Sequence, residues 1–431
     1  MSDFDVIVIG AGAAGLSAAA SLATSGRIMT CRKPGLPMPI ELGAEFVHGR
    51  STVTSSWLRR ANSLLIDAPQ QRWQMKTGKL HKADSLFEEM QHAFARLRRP
   101  AKDLPFADFL DESRAKLSTT IRQFARALAE GFDAADLTQL STLQILEEWS
   151  GSASANAPTF RPSGGYGALI DCIAHSLDPE RVHLSLNTVV QEVQWRRGHV
   201  TVAATKNGNS FIVTAPQAVI ALPLAVLQVS NQLSNAVLFS PALAARKNAL
   251  DQLATGPVIK VVLHFRHAFW EEADNGRYAD SAFFMSPGIT FPTLWTALPA
   301  RAPLLIAWTG GPDASRISGW SDAAIVQEAL DSVQTVFRKH RTLHDDLQSA
   351  HFHNWQTDPF AGGAYSYVTA GGSMARKQLA KPLHETLFFA GEAMDTQGEA
   401  ATVAGALSSG ERAARQITAS HPAGHRTTST R

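Results

Sequence analysis

The stretch "GAGAAG", from Gly10 to Gly15, contains residues of the kind that hold the phosphates of a dinucleotide. Gly10 permits a tight turn, Gly12 lets the backbone approach a pyrophosphate, and Gly15 lets a helix pack closely on the preceding strand. The first helical turn, which includes Ala13 and Ala14, would offer free N–H groups to the phosphates. An apolar run, "DVIVIG", precedes the turn and a helical pattern follows it, so the context predicts a dinucleotide site.

The acidic residue that should follow this turn is missing from its usual place. A dinucleotide-binding unit normally continues into a second strand whose Asp or Glu, roughly 20 residues on, binds the ribose hydroxyls. Here that place holds Arg32 and Lys33, and the first acidic residue after Gly15 is Glu41. Either "RIMTCRK" is the second strand and its cations receive the 2′-phosphate of NADP, or the usual strand is absent. In the second case Glu41 could replace the missing ribose ligand.

A lysine in an apolar strand is the second chemical candidate. In "GPVIKVVLHF" a period of two places Val258, Lys260 and Val262 on one face of the strand. Such a lysine either lies on a solvated sheet face or is placed there for chemistry. The residues alone favour neither interpretation.

The C-terminal block "LFFAGEAMDTQGEAATVAGALSSGERAA" predicts a strand and then a helix. Gly391 and Glu392 follow the strand, and Thr402 and Val403 begin the helix. The N–H groups at such a helix start can stabilise the negative charge that a flavin ring gains on reduction. The block therefore indicates a flavin.

The same block resembles the C-terminal flavin motif of the flavin-dependent amine oxidases, which include monoamine oxidases, polyamine oxidases and flavin-type histone demethylases. "ELGAEFVHG" resembles the segment that these enzymes lay beside the flavin, and "LNTVVQEVQW" resembles the strand whose backbone meets the adenine. "AVIALPLAVL" and "WQTDPFAGGAYS" are similar to two further family patterns. The resemblance covers nearly the whole chain to Ile417. It implies oxidation of a mono- or polyamine to an imine, with oxygen as acceptor and hydrogen peroxide as product.

The resemblance also implies roles for individual residues. Lys260 would hold a water against flavin N5. The FAD contacts that it implies are Gly10, Gly12, Ala13, Ala14, Gly15, Arg27, Ala44, Glu45, Phe46, Val190, Gly391, Glu392, Thr402 and Val403. The substrate contacts that it implies are His48, Glu399 and Tyr365. FAD should be non-covalent because no cysteine lies between Gly391 and Ile417, and no metal is expected because the pair His351 and His353 has no third ligand nearby.

Two features depart from the family pattern. "RIMT", from Arg27, resembles the end of a family G-G-R-[IV]-x-T stretch, so a strand, its carboxylate and a turn are missing after Gly26, about a dozen residues. The loss could be natural, an engineered deletion or an error in the gene model. Many family members also place a tyrosine before the last helix, where this chain has Gly398 and Glu399.

The predicted fold is a two-domain α/β flavoprotein. A discontinuous Rossmann-like FAD-binding domain would comprise residues 1–60, 151–230 and 371–417, and a mixed-sheet and helical substrate domain residues 61–150 and 231–370, with a disordered tail over 418–431. The net charge of +2 gives no reason to expect nucleic acid or a membrane surface. Two cysteines form no disulfide framework, which favours the cytoplasm. The sequence does not indicate an oligomeric state.

Three other functions remain open at this point. One is an NADP-dependent oxidoreductase that uses Arg32 and Lys33. Another is an inactive flavin-fold remnant, deprived of FAD by the missing strand and acting as a binding module. The third is a flavin desaturase acting on C–C bonds, which would not need Lys260.

Overall fold

The computed structural model describes residues 2–10, 12–20, 27–150, 158–229, 236–338 and 343–420. The strands in these ranges are β1 Val6–Ile9, β2 Thr30–Cys31, β3 Ile40–Glu41, β4 Val47–His48, β5 Leu65–Asp67, β6 Arg72–Lys76, β7 Lys79–Lys82, β8 Thr159–Pro162, β9 Thr188–Arg196, β10 His199–Lys206, β11 Asn209–Ala215, β12 Gln217–Ile220, β13 Leu238–Ser240, β14 Leu253–Gly256, β15 Val258–Phe265, β16 Phe283–Met285, β17 Thr293–Thr296, β18 Leu304–Gly310, β19 Leu347–Asn354, β20 Tyr365–Val368 and β21 Leu387–Phe389. The helices are α1 Ala13–Ala20, α2 Thr52–Arg60, α3 Leu86–Ala95, α4 Phe106–Glu112, α5 Thr119–Gly131, α6 Thr142–Ser150, α7 Gly167–His175, α8 Leu224–Gln228, α9 Ala244–Asp251, α10 Phe269–Gly276, α11 Gly311–Ile317, α12 Asp322–Val336, α13 Leu343–Asp346, α14 Ala375–Leu379 and α15 Val403–Ser420.

The chain divides into two compact units, each made of separate stretches of sequence. The first unit comprises Met1–Gly26, Ile170–Asp251 and Met374–Arg431, and the second comprises Arg27–Leu169 and Gln252–Ser373. These units differ from the predicted domains because residues 27–60 and 151–169 group with the second unit and residues 231–251 group with the first. Strand pairing explains the first two changes, since β4 pairs with β8, and β8 also pairs with β5 of the second unit.

The first unit is built on a parallel sheet in the order β1-β12-β21. Helices α1 and α15 pack on it, and Ala14, Val219, Phe388 and Ala413 belong to one buried apolar cluster. The two helices approach closely at Gly410, where any Cβ would collide with the carbonyl oxygen of Ala14. The strand, turn and helix predicted around "DVIVIG" are confirmed as β1 and α1.

Strand β1 lies at the edge of this sheet, because among the described residues it pairs only with β12. Residues Thr30–Cys31 pair antiparallel with Ile40–Glu41 in a separate two-stranded sheet. The interpretation of "RIMTCRK" as the second strand of the dinucleotide sheet is therefore wrong. The unpaired N–H and C=O groups of an edge strand can pair with other chains and so favour aggregation, and a further strand at this edge would remove that exposure.

The same unit contains an antiparallel sheet in the order β11-β10-β9-β13. The turn between β10 and β11 is formed by Asn207 and Gly208, with φ of 50° and 82°. Two consecutive left-handed residues are typical of a tight hairpin turn, which the Asn-Gly pair allows. Val190, the predicted adenine contact, lies on β9 opposite Ala204.

The second unit is built on a seven-stranded sheet in the order β19-β15-β18-β17-β16-β6-β7. Strand β15 is buried on both faces. Ile259 and Val261 belong to a core cluster on one side, and Val262 belongs to a cluster on the other side with Ile40 and Trp295. Lys260 shares the face of Val262, as the period of two predicts.

The C-terminal helix runs further than expected. Helix α15 continues to Ser420, so the disordered tail predicted from residue 418 is wrong for its first three residues, and residues 421–431 lie outside the described ranges. Gly26, after which the sequence predicts a missing strand, also lies outside them. Among the helices described here, none combines the length and the apolar character that a membrane span requires.

The open edge of β1 leads to a prediction about cofactor content. Inserting a strand and turn of the type V-x-V-L-E-A-x-x-x-x-G-G between Gly26 and Arg27 should raise both FAD occupancy and melting temperature, because the insert restores an edge partner and a ribose ligand. Loss of those ribose hydrogen bonds costs on the order of 2–4 kcal/mol, or about 30- to 1000-fold in affinity. Absorbance of the purified proteins and thermal unfolding measure both quantities. Equal values with and without the insert would contradict the proposed gap.

Candidate functional site

The turn between β1 and α1 has the backbone that a pyrophosphate site requires. Gly10 has φ of 106°, and a Cβ there would lie 2.5 Å from the carbonyl oxygen of Ala221, so glycine alone fits. The N–H of Leu16 donates to the carbonyl of Gly12 at 2.8 Å, which makes this the first helical bond of α1. The preceding N–H groups of the turn have no acceptor within the helix, so they fit the phosphates of FAD.

Helix α15 presents a second N-terminus in the same unit. Thr402 caps it: its Oγ1 accepts from the N–H of Gly405 at 3.1 Å and donates to the carbonyl of Glu399 at 2.6 Å. Gly391, with φ of 145°, donates its N–H to Ser409 Oγ at 2.8 Å. The predicted helix start at Val403 is confirmed. Its first N–H groups fit a flavin edge that becomes negative on reduction.

Glu392 lies between β21 and α15 along the chain, in a short 3-10 turn over Glu392–Met394. Its side chain is buried. Glu399, a predicted substrate contact, lies in the loop before α15, where its N–H donates to Asp395 Oδ2 at 2.8 Å. The FAD and substrate roles of these two acids stay predictions.

Lys260 lies in a buried group of three charges, here named the charge cluster: Lys260, Glu45 and Arg161. Lys260 is only 1% exposed, and its Nζ lies 2.5 Å from Glu45 Oε2 and 3.3 Å from the carbonyl oxygen of Gly43. Arg161 forms an ion pair with Glu45 Oε1. The indole N–H of Trp295 lies 3.2 Å from the same oxygen. The alternative that Lys260 faces solvent is therefore wrong.

The charge cluster carries one net positive charge, and its partners hold Glu45 ionised. Burial would raise the pKa of Glu45, but Lys260 and Arg161 outweigh burial and lower that pKa to about 2. Arg161 also donates to the carbonyls of Leu298 and Thr296, at 3.0 and 2.9 Å. Such hydrogen bonds are needed because buried ion pairs must recover a desolvation cost of several kcal/mol per ion.

Glu41 is another buried acid of the second unit. Its Oε1 accepts from Thr30 Oγ1 at 2.7 Å and from the N–H of Tyr166 at 2.6 Å, and any Cβ at Gly165 would collide with it. Burial raises the pKa of Glu41 to about 7, although the Thr30 hydrogen bond and the charge of Lys260 act in the opposite direction. These contacts fasten the glycine turn before α7 to β3. The role of Glu41 as a substitute ribose ligand stays a prediction.

His48 lies in an aromatic group. Its ring centroid is 6.1 Å from that of Phe46 and 5.5 Å from that of Phe132, the latter edge to face. Burial lowers the pKa of His48 to about 4, so the imidazole is neutral near pH 7. The hydroxyl of Tyr365 donates to the carbonyl of Phe132 at 2.5 Å. The structure thus brings together two of the three predicted substrate residues, His48 and Tyr365, around Phe132.

Other predicted residues have structural contacts. Arg27 donates to the carbonyl of Ala364 at 2.6 Å, and Ala44 lies in the loop that carries Glu45. His353 Nε2 lies 2.9 Å from Asp358 Oδ2. Cofactor contacts for Arg27, Ala44, Glu45 and Phe46 stay predictions.

The contributions of Arg161, Trp295 and Phe132 were not predicted from the sequence. Arg161 stands directly before "PSGGYG", where a cation in a short strand was the one available signal. Its partner Glu45 is 116 residues away along the chain, and no local pattern predicts that pairing. Glu45 was assigned to the cofactor, whereas its carboxylate contacts Lys260 and Arg161.

The raised pKa of Glu41 leads to a prediction about stability. Between about pH 4.5 and 7, Glu41 is protonated in the folded state but ionised in the unfolded state. The free energy of unfolding therefore falls as the pH rises through that range. The free energy of unfolding of Glu41→Gln, taken relative to that of the parent, should therefore increase by about 2–3 kcal/mol between pH 5 and pH 8. Urea unfolding at both pH values measures it. The exposed Glu385→Gln is the matched control, and a pH-independent difference for Glu41→Gln would contradict the assigned protonation.

Comparison with known proteins places the chain in a family. The family model for flavin containing amine oxidoreductases matches residues 118–418, and an FAD binding domain model matches residues 5–35. Polyamine oxidase 3 of Oryza sativa subsp. japonica is 26% identical over 457 residues, which covers 95% of this chain and 88% of that protein. Lysine-specific histone demethylase 2 of Homo sapiens is 28% identical over 262 residues, 59% of this chain. The chain spans less than a third of the length of that demethylase, 30% of it.

Solved structures share the fold. Cyclohexylamine oxidase from Brevibacterium oxydans IH-35A superposes with a TM-score of 0.76 at 19% identity, over 97% of this chain and 99% of that one. Putrescine oxidase bound to putrescine gives a TM-score of 0.77 at 19% identity, over 96% and 99% of the two chains. The predicted two-domain α/β flavoprotein fold is confirmed. With most of its length matched by the family model, the chain belongs to the flavin-containing amine oxidoreductases and is an FAD-dependent enzyme of that family.

Proposed function

We propose that this chain oxidises a small mono- or polyamine to an imine, with oxygen as the final acceptor. The amine loses two electrons and two protons to give the imine, oxygen gains them to give hydrogen peroxide, and water then hydrolyses the imine. The observation that supports this most strongly is the fully buried Lys260 in its charge cluster, within a chain of the amine oxidoreductase family.

FAD, when bound, supplies the two-electron chemistry that no side chain can supply. The chain's own residues bind it through the glycine turn and the start of α15, as described above. Lys260 has three N–H bonds as an ammonium, and two of them have acceptors in Glu45 and Gly43. We propose that the third N–H bond holds the water that serves the reaction.

The electrostatics of the second unit favour a neutral amine as the reacting species. An amine needs its lone pair to be oxidised, and an ammonium ion has none. Phe46 connects the two parts of the site, since the Arg161 guanidinium lies 4.4 Å over its ring and His48 packs beside it. The net positive charge disfavours a second cation there, and the neutral His48 can hydrogen-bond an amine without adding charge.

The class of substrate is inferred from the extent of the comparisons. The match to the rice polyamine oxidase extends over most of both chains, whereas the demethylase matches leave most of those longer proteins uncovered. We therefore propose a small amine rather than a protein side chain as the substrate.

The proposal is tested with the FAD-loaded protein mixed anaerobically with a panel of amines: putrescine, spermidine, cyclohexylamine and a methylated lysine peptide. We expect at least one small amine to bleach the visible flavin absorbance, and oxygen to restore it with release of peroxide. Bleaching by the peptide alone would favour demethylation. No bleaching by any amine would overturn the proposed function.

Replacing Lys260 tests its role in the reaction. Lys260→Met should keep FAD bound but slow either flavin reduction or its reoxidation by about 100-fold or more, the usual range for a lost proton-handling group. Rapid mixing resolves the two half-reactions. Lys247→Met, a change of the same type at an exposed lysine, is the control. Unchanged rates in Lys260→Met would remove Lys260 from the mechanism.

Replacing Glu392 tests the FAD contact in the first unit. Glu392→Ala should weaken FAD binding by about 1–3 kcal/mol, because a buried carboxylate that accepts a hydroxyl hydrogen bond from the cofactor would be lost. Equilibrium titration of the protein with FAD measures the affinity. Glu385→Ala, at an exposed acid of the same unit, should bind FAD like the parent. Equal affinity in Glu392→Ala would show that its role is wrong.

A further inference from the structure

We propose that Glu45 is a positioning residue of the amine-oxidising site, which keeps Lys260 as an ammonium ion and fixes where its remaining N–H bond is available. This inference rests on the proposed function. It concerns a residue that the sequence analysis assigned to cofactor contact, and it follows from the three charges that the fold buries together.

The geometry singles out Glu45 among the neighbours of Lys260. Glu45 Oε2 lies 2.5 Å from Lys260 Nζ, and the other carboxylate oxygen is held by Arg161 and by the Trp295 indole. The carboxylate therefore cannot rotate without breaking a contact on its far side. A lysine on a flexible four-carbon stem gains a defined position when its acceptor is fixed in this way.

The surroundings of Lys260 explain why it needs an anion. Its neighbours along β15 are apolar. The residue opposite Lys260 on β19 is His353, which is hydrogen-bonded to Asp358. Across β18 the opposite residue is Trp308. Glu41 adds a weaker, longer-range attraction, and Arg161 adds a like charge. In a desolvated place the uncharged amine is favoured unless an anion compensates, and Glu45 is the carboxylate in direct contact.

Arg161 has a separate part in this arrangement. With Lys260 it holds Glu45 ionised, and its own guanidinium is anchored to the carbonyls of Leu298 and Thr296. Arg161 thus fixes the carboxylate, and the carboxylate fixes the lysine. The order of dependence predicts that removing Glu45 affects Lys260 directly, whereas removing Glu41 does not.

The test compares the pH dependence of anaerobic flavin reduction in FAD-loaded Glu45→Gln with that of the parent. Glu45 is the carboxylate in contact with the ammonium, so its removal should give the variant an alkaline limb, along which the rate falls about tenfold per pH unit. The midpoint potential of bound FAD provides a second readout, since positive charge in the protein stabilises the reduced, anionic flavin. Glu45→Gln removes one negative charge, so its potential should lie above that of the parent at lower pH and fall back toward the parent's value over the alkaline range.

Two further variants keep the test decisive. Glu45→Asp retains the charge and should recover most of the parent's pH profile, and Glu41→Gln removes a buried carboxyl group of the same size and should show no new limb. If Glu45→Gln does not fold because two buried cations remain, the double variant Glu45→Gln with Arg161→Met keeps one net positive charge and still leaves Lys260 without its anion. The alkaline limb should appear in it.

The outcomes separate this inference from the proposed function. A parent protein whose flavin no amine reduces would defeat the proposed function itself. A parent that is reduced, together with a Glu45→Gln variant or the double variant whose pH profile and FAD potential match those of the parent, would overturn the role of Glu45. A change in rate that is the same at every pH would also overturn it, because loss of packing alone predicts that result.

Discussion

The burial of two cations against one carboxylate is the constraint on which the second unit depends. Lys260, Glu45 and Arg161 come from β15, from the loop before β4 and from β8, so the ion pairs join three segments that are distant in sequence. Removing Glu45 from this group leaves two cations without their anion, and breaking a buried ion pair in this way costs about 3–5 kcal/mol. The three side chains are largely screened from solvent, which strengthens the attraction between opposite charges. The position of Lys260 is therefore fixed by the same ion pairs that hold these three segments together.

The first unit offers backbone N–H groups that fit an anionic cofactor. It does so with two helix starts, one after the turn at Gly10 and one capped by Thr402, and with a close helix contact at Gly410. These are backbone arrangements that only a few residue types permit, so they leave clear marks in the sequence. The edge position of β1 is the exception: among the described residues β1 pairs only with β12, and that pairing follows from no local pattern in the sequence.

This contrast explains how much could be predicted. The turn around Gly10, the strand that carries Lys260 and the start of α15 were predicted because each is encoded by neighbouring residues: glycines at fixed spacing, an apolar run and a capping threonine. The charge cluster around Lys260 was not, since Glu45 and its partner Arg161 lie 116 residues apart and meet only through the tertiary fold. The pairing of the short strands β2 and β3 was not predicted, and one of the two alternatives placed β2 in the wrong sheet, for a similar reason. Their pairing is fixed by Glu41 and the glycine turn at Gly165, and a two-residue strand has no periodicity to detect.

The most direct test of the account is whether Lys260 and Glu45 stabilise each other in the folded chain. A double-mutant cycle with Lys260→Met, Glu45→Gln and the combination, followed by urea unfolding at neutral pH, measures their coupling free energy. The account predicts that the combined variant is more stable than the sum of the two single effects implies, by at least about 1.5 kcal/mol, because the attraction between Lys260 and Glu45 is lost in each single variant and is therefore counted twice in the sum. Additive effects, within about 0.5 kcal/mol, would contradict it, since they would mean that the buried ion pair contributes nothing to the fold.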